Sequence, residues 1–378
     1  MSAITIISFG IATIIPIIAL YIIYTRDLYS TGAFKFVLSC FIWGGIAFAL
    51  ASLINRTLMG SFGVDRLVVV RTIAPIEEEI LKGLILLFLV RRKEFTYFVD
   101  GAIYGFAIGI GFAIFENYEY LYYASESSQL SIAVIRVIST NLMHATGSAI
   151  IGIALGYGRF SRRSGVLMYI LGGAAFSMAI HIGFNNIASA ELDNSLLLLI
   201  FIVVIGTFGF GLIFFFIRRG TQEAQTWIRE TLGMGDRVTA GEVKAVDQMK
   251  DIDALLAPLA HIYGEDKAHQ IEKLLRMQAR LGILRKNLEK LQDQKLVQNT
   301  KEEIADLREE MDIIRKEIGQ YEMMTLRLIF PEDDDSMWNQ LESILEQKIV
   351  QASGPKDGGL WDQLGSKVVP PPTSGEGE

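Results

Sequence analysis

Apolar residues in this chain gather into blocks instead of alternating with charged ones. Residues 3–24, 34–54, 67–90, 98–118, 131–158, 165–187 and 195–217 are such blocks, each about as long as the roughly 20 residues that cross ~30 Å of hydrocarbon. Backbone groups in lipid must pair within their own segment, so each block predicts a helix. Beyond residue 220 the pattern changes. Leu274, Met277, Leu281, Leu284, Leu288 and Leu291 recur at alternating spacings of three and four, the seam of a coiled coil; Ile304, Leu307, Met311, Ile314 and Ile318 do the same in another register. Between them, Thr300 and Glu303 fit a capping box that opens a new helix, which predicts a hairpin instead of one long rod. From Ser353 onward glycine, proline and charge predominate, and a disordered end is expected.

The expected fold is therefore all-α: a polytopic membrane bundle of about seven transmembrane helices with a soluble coiled-coil or helical-hairpin tail. The expected domains are 1–219 in the membrane, 220–352 as a cytoplasmic helical unit and 353–378 as a disordered tail. Composition agrees. The 378 residues are 51% hydrophobic and 20% charged, with 35 glycines, a residue more frequent in membrane helices than in soluble ones. Residues 1–220 hold 15 Lys and Arg against 12 Asp and Glu, leaving 20 and 30 of the totals of 35 and 42 for the tail. That acidic balance suits solubility and excludes nucleic acid as a partner. The single Cys40 excludes a disulfide framework and a cysteine-based metal site. The first block lacks a basic start and a small-residue cleavage site, and reads as a retained helix.

Basic residues bias loops toward the cytoplasm. Arg91, Arg92 and Lys93 follow the third block, Arg159, Arg162 and Arg163 the fifth, and Arg218 and Arg219 the seventh, whereas 119–130 and 188–194 carry no Lys or Arg. Arg56 and Arg66 run against the trend. The sum predicts an N-terminus outside and a C-terminus inside.

Polar residues interrupt the apolar blocks, and these carry the candidate chemistry. Glu77, Glu78, Glu79 and Lys82 lie near the middle of the third block, Glu116 and Asn117 near the outer end of the fourth, Asn141 and His144 in the fifth, and His181 and Asn185 in the sixth. A charge facing lipid costs ~2.5–3.5 kcal/mol or more, so the charged members of this set are expected to converge on a protein interior or wet cavity. Glutamate and imidazole together suit a borderline divalent ion such as zinc, whose catalytic sites take three protein ligands and keep an open position. A further carboxylate would take a proton from water, and an asparagine or lysine would stabilise an oxyanion. These are the parts needed to hydrolyse a peptide bond. Taken singly, a membrane histidine or asparagine commonly serves helix packing. Asp100 and Arg136, nearer helix ends, read as structural or snorkelling residues, and Gly105-x3-Gly109 and Gly152-x3-Gly156 as close helix contacts. The same polar groups would also suit a transporter or a non-catalytic scaffold, although no inverted repeat supports transport.

The run Ala74-Pro75 through Glu78-Glu79-x-x-Lys82, the run Gly111-Phe112 through Glu116-Asn117, His144, and His181-x-x-x-Asn185 occur in this order on successive blocks. In these motifs the chain resembles the PrsW family of intramembrane proteases, related to type II CAAX prenyl endopeptidases, over roughly residues 70–190. Lys82 and Glu116 favour the PrsW side, since the prenyl endopeptidases carry arginine and histidine there. The resemblance implies cleavage of a single-pass membrane protein near the outer face, with regulatory consequences, in the cell membrane of a prokaryote. The site expected is Glu78 or Glu79 as the water-activating base, Lys82 tuning that pair, Asn185 stabilising the intermediate, and Glu116, His144 and His181 at a divalent metal, zinc by preference. The tail, through residues 267–325, is expected to meet a second copy or a cytoplasmic protein.

Overall fold

The structure is a computed structural model that describes residues 2–27, 29, 34–92, 95–161, 163–190, 195–233, 236 and 238–329. Met1–Phe330 form one compact unit. The expected disordered segment 353–378 lies outside the described residues.

The described part is all helical. The membrane-embedded portion comprises α1 (Ala3–Thr25), α2 (Phe34–Gly60), the short α3 (Arg66–Val68), α4 (Ala74–Leu89), α5 (Phe98–Tyr123), α6 (Glu126–Ile138), α7 (Thr140–Gly158), α8 (Arg163–Ala188) and the start of α9 (Ser195–Thr231). Among the described residues five stretches are long and apolar enough to cross a membrane, not about seven: Ala3–Thr25, Phe34–Gly60, Phe98–Tyr123, Glu126–Gly158 and Gly165–Ala188. Two expected spans drop out for different reasons. The third block is broken by a π-helical turn, Val69–Ile73, which leaves α4 with 16 residues, four of them charged. The seventh block opens the 37-residue α9, where the side chains of 195–199, 201, 202 and 205 lie outside the described residues. The fifth block also differs from expectation: it begins at Glu126 and bends at Ser139 (φ −120°, ψ −79°), dividing α6 from α7.

The π turn follows from sequence. Pro75 has no N–H to give to the Arg71 carbonyl, and its ring would clash with that oxygen in a regular helix. The chain widens instead, and Ala74 N donates to Val69 O, one residue further back than in an α-helix. The Val70 and Arg71 carbonyls are thereby freed. Asn185 Nδ2 donates to Val70 O (2.9 Å) and Asn186 Nδ2 to Arg71 O (3.0 Å), so α8 supplies what lipid cannot.

At the centre lies α5, almost wholly buried, against α7 on one side and α2 on the other. Glycine permits the α5–α7 contact. A side-chain carbon at Gly101, Gly105 or Gly109 would strike the α7 backbone at Gly152, Ser148 and His144–Ala145. The two small-residue pairs thus serve packing, as their spacing suggested. On the periphery Ile14, Ile42, Leu53, Leu171 and Phe176 remain exposed, an apolar belt that lipid would cover.

The tail is a helical bundle, not a coiled coil. It contains α10 (Ala240–Asp247), α11 (Ile252–Tyr263), α12 (Glu265–Lys290), α13 (Gln294–Ile318) and α14 (Gln320–Ile329). α12 and α13 do form an antiparallel hairpin. Arg280 pairs with Glu303 (2.6 Å) and Lys273 with Glu310 (2.9 Å), so stepping back along α12 steps forward along α13. Yet α12 buries Ile271, Leu275, Ala279 and Ile283 as well as its expected seam, because α9, α10 and α11 cover its other faces. The capping assignment is also corrected. Asp293 caps α13, accepting from Lys295 N and Leu296 N, while Thr300 lies mid-helix and bonds back to Leu296 O. α9 continues past residue 219 without a break and meets α12 through Lys286–Glu230 (3.0 Å) and Lys290 over the Trp227 ring.

Candidate active site

The polar residues of four helices meet inside the membrane portion. Glu78, Glu79 and Lys82 follow directly on the π turn, which sets the phase at which α4 enters the bundle. Glu79 and Lys82, a turn apart, face inward together, and Nζ of Lys82 lies 2.5 Å from Oε1 of Glu79. Glu79 also accepts from Ser177 Oγ (2.6 Å, Oε2) and from His181 Nδ1 (3.0 Å, Oε1) on α8. Three donors therefore fix one wholly buried carboxylate. On the other side Lys82 Nζ lies 3.0 Å from Nδ1 of His144 and 4.8 Å from the Phe112 ring centroid. An ammonium offers only donors, so Nδ1 accepts, and the imidazole carries its proton on Nε2, which donates to Oε2 of Glu116 at 2.9 Å.

Glu116 has a second partner that sequence reading assigned elsewhere. Arg136 of α6 approaches the same Oε2 at 2.7 Å, donates through Nε to Asn117 Oδ1 (2.7 Å), and stacks 3.7 Å over Tyr120. Asn117 in turn donates to Asn141 Oδ1 (2.7 Å). Arg136, expected to be structural or snorkelling, thus joins Asn117 and Asn141 in the cradle of Glu116. Ser177 was missed as well, although it lies four residues before His181 and eight before Asn185, on one face of α8.

Metal-ligand chemistry converges on a set that differs by one residue from the sequence expectation. Glu78, His144 and His181 each bring one ligand atom within 4.8 Å of the others. The histidine rings meet edge to face with centroids 4.8 Å apart. His181 presents Nε2 to Oε2 of Glu78 at 3.8 Å, too far for a hydrogen bond, and that buried oxygen has no hydrogen-bond partner. An orphaned carboxylate oxygen facing an imidazole nitrogen is what a divalent ion would satisfy, and the Glu79 contact at Nδ1 orients the ring as a second carboxylate does behind metal-bound histidine. An ion at His144 would have to replace the Glu116 or the Lys82 contact; Glu78 and His181 need no such exchange. The donor set fits a borderline divalent ion.

A cavity of about 450 Å³ leads to this cluster from the end of the bundle where α2 ends and α3 begins. Its aromatic wall is Phe48, Phe112, Tyr120 and Tyr123, Arg56 and Glu119 pair at its rim (2.7 Å), and Glu78, Glu116 and Asn185 reach its lining. Of the sequence-designated residues, Glu79, Lys82, Glu116, His144 and His181 are linked by hydrogen bonds or ion pairs, and Glu78 faces His181 at 3.8 Å. Asn185 borders the same cavity while holding the π turn.

A family model described as PrsW family intramembrane metalloprotease matches residues 32–213. That segment contains every residue of the cluster. Residues 32–213 are thus similar to the PrsW family. Among curated relatives, Protease PrsW of Clostridioides difficile (strain 630) is 28% identical over 204 residues, covering 51% of this chain and 84% of that protein. No solved structure matches the chain at a significant level. The PrsW segment ends within α9, so the helices of the tail lie beyond the matched region.

Proposed function

We propose that the protein is an intramembrane metallo-endopeptidase that cuts single-pass membrane proteins near the outer membrane boundary. The observation that carries this reading is the convergence of Glu78, His144 and His181 beside an open, aromatic-walled cavity that Glu78 lines, within the segment similar to the PrsW family. Glu78, His144 and His181 would hold a divalent ion, zinc by preference. Such an ion, when bound, supplies Lewis acidity and lowers the pKa of water.

The chain's own groups account for the remaining work. Glu116 accepts the proton of the attacking water, a role that its place in the cavity lining supports. Arg136 holds that carboxylate in position. Glu79, engaged by three donors, anchors His181 and is not the base. The proton then passes to the departing amide nitrogen as the C–N bond breaks. Asn185 has a second amide N–H beyond the one given to Val70 O, and this stabilises the tetrahedral oxyanion. The cavity's open mouth admits an unwound segment.

The finer architecture belongs to the same proposal. The N-terminus lies outside and the helical tail inside. The cavity mouth then faces outward, and the outward faces of residues 267–325 meet a second copy or a cytoplasmic regulator. Changing Glu116 to glutamine keeps shape and removes the base, and is expected to slow cleavage by ~10²–10⁴-fold. The test uses purified protein in liposomes with a pool of single-pass reporters varied around the outer boundary, read by mass spectrometry of new termini. Undiminished cleavage by the Gln variant would sink the assignment, and cuts confined to the opposite boundary would invert the topology.

A further inference from the structure

We propose that a second cavity, between the inner end of α4 and the face of α13, binds a membrane lipid through a phosphoethanolamine headgroup. The cavity has a volume of about 450 Å³, within the range of small-molecule sites. One side is formed where α4 leaves the apolar layer, by Phe88, Arg91 and Arg92; the other is formed by Lys295, Asn299, Glu302 and Asp306. The last four recur at spacings of four, three and four and so share one face of α13. None of these residues takes part in the candidate active site, and the inference does not depend on proteolysis.

Location and chemistry together select the ligand. Phe88 is 59% exposed on the periphery of the bundle, and the Arg92 guanidinium lies 5.4 Å from its ring centroid. An exposed ring one turn inside a pair of arginines marks the level where acyl chains give way to headgroups. Three cationic side chains in a cavity at that level suit a phosphodiester, which accepts charge-assisted hydrogen bonds. A wholly anionic headgroup, however, would bring its phosphate against Glu302 and Asp306. Those carboxylates call for a cation on the same ligand. A primary ammonium donates N–H bonds to them, whereas a trimethylated one has no N–H to give. The zwitterion with phosphate and primary ammonium satisfies both rows at once.

Such a lipid would bridge the membrane portion and the tail. α12, the hairpin partner of α13, is already tied to the start of α5, where Asn287 Nδ2 donates to Thr96 O at 2.9 Å. Lipid at Arg91, Arg92 and Lys295 adds a second tie, on α13 itself.

The test is native mass spectrometry of the detergent-purified full chain titrated separately with dioleoyl phosphatidylethanolamine, phosphatidylcholine and phosphatidylglycerol, and with soluble phosphoethanolamine. The expected result is retention of one phosphatidylethanolamine roughly tenfold more tightly than either other lipid, consistent with one or two charge-assisted bonds. The Glu302→Gln, Asp306→Asn double variant should erase the advantage over phosphatidylcholine. Arg91→Gln with Lys295→Gln should weaken all three lipids. These substitutions lie at a polar surface, and an unchanged thermal unfolding profile confirms that each variant is folded. Equal retention of the ethanolamine and choline lipids would overturn the proposal, as would preference for phosphatidylglycerol, which signals a purely anionic site. Binding of soluble phosphoethanolamine as tightly as the lipid would overturn the membrane source.

Discussion

Replacing His181 with alanine is expected to remove both the bound divalent ion and cleavage while leaving the protein inserted and folded. His181 joins the two halves of the cluster: Nδ1 meets Glu79 at 3.0 Å and Nε2 faces Glu78 at 3.8 Å. Alanine takes away one of three proposed ligands, and sites of this kind need all three to hold a catalytic ion. It leaves Glu79 with Lys82 and Ser177, so the buried carboxylate keeps two of its donors and the helices keep their main polar contact. The expected result is metal content near background, with cleavage down by at least roughly 10³-fold, comparable with loss of a main electrostatic element. Metal analysis and reporter cleavage on one preparation provide the check. Retention of both would remove His181 from the site.

The second large effect concerns the scaffold. Leucine at Gly105 is expected to prevent formation of the folded membrane portion. Its side chain would be driven into the backbone of Ser148 and Ala149, which cannot step aside as a side chain would. Overpacking within a close core costs ~1–3 kcal/mol where neighbours can yield, and more where they are backbone. α5 and α7 carry Glu116 and His144, so any parting of these helices also separates the cluster. The expected outcome is loss of the monodisperse peak in size-exclusion chromatography and earlier unfolding in denaturing detergent. Leucine at Gly10, where no atom lies near, is the control expected to behave as wild type.

How far the sequence revealed this arrangement depends on the kind of signal. Long apolar blocks mark membrane helices because lipid admits little else, and all five qualifying helices fall on such blocks. The same signal does not see interruptions. The π turn at Val69–Ile73 arises from one missing N–H at Pro75 and from asparagines on a helix more than a hundred residues away. The bend at Ser139 carries no glycine or proline to announce it. In the tail, a three-four spacing indicates a buried stripe but not what buries it; α12 is covered on several sides, so the seam belongs to a bundle. Charged residues in apolar blocks identified the cluster, since lipid makes each one costly. Their pairings needed coordinates. Glu78 and Glu79 are neighbours in sequence, yet one is held by three donors and the other has an unsatisfied oxygen. Arg136 looked peripheral because it lies near a helix end, and only the approach of α6 to α5 brings it onto Glu116.

The most direct test of the central claim is to titrate metal back into stripped protein while following cleavage. The purified wild type would be freed of divalent ions by chelation, returned to liposomes with a cleaved reporter, and supplied with zinc in steps, bound metal and initial rate being measured together. The expected result is no cleavage in the stripped protein and a rate that rises in proportion to bound ion, levelling at about one per chain. Full cleavage by folded protein holding less than roughly a tenth of an ion per chain would contradict a metal-dependent site at Glu78, His144 and His181.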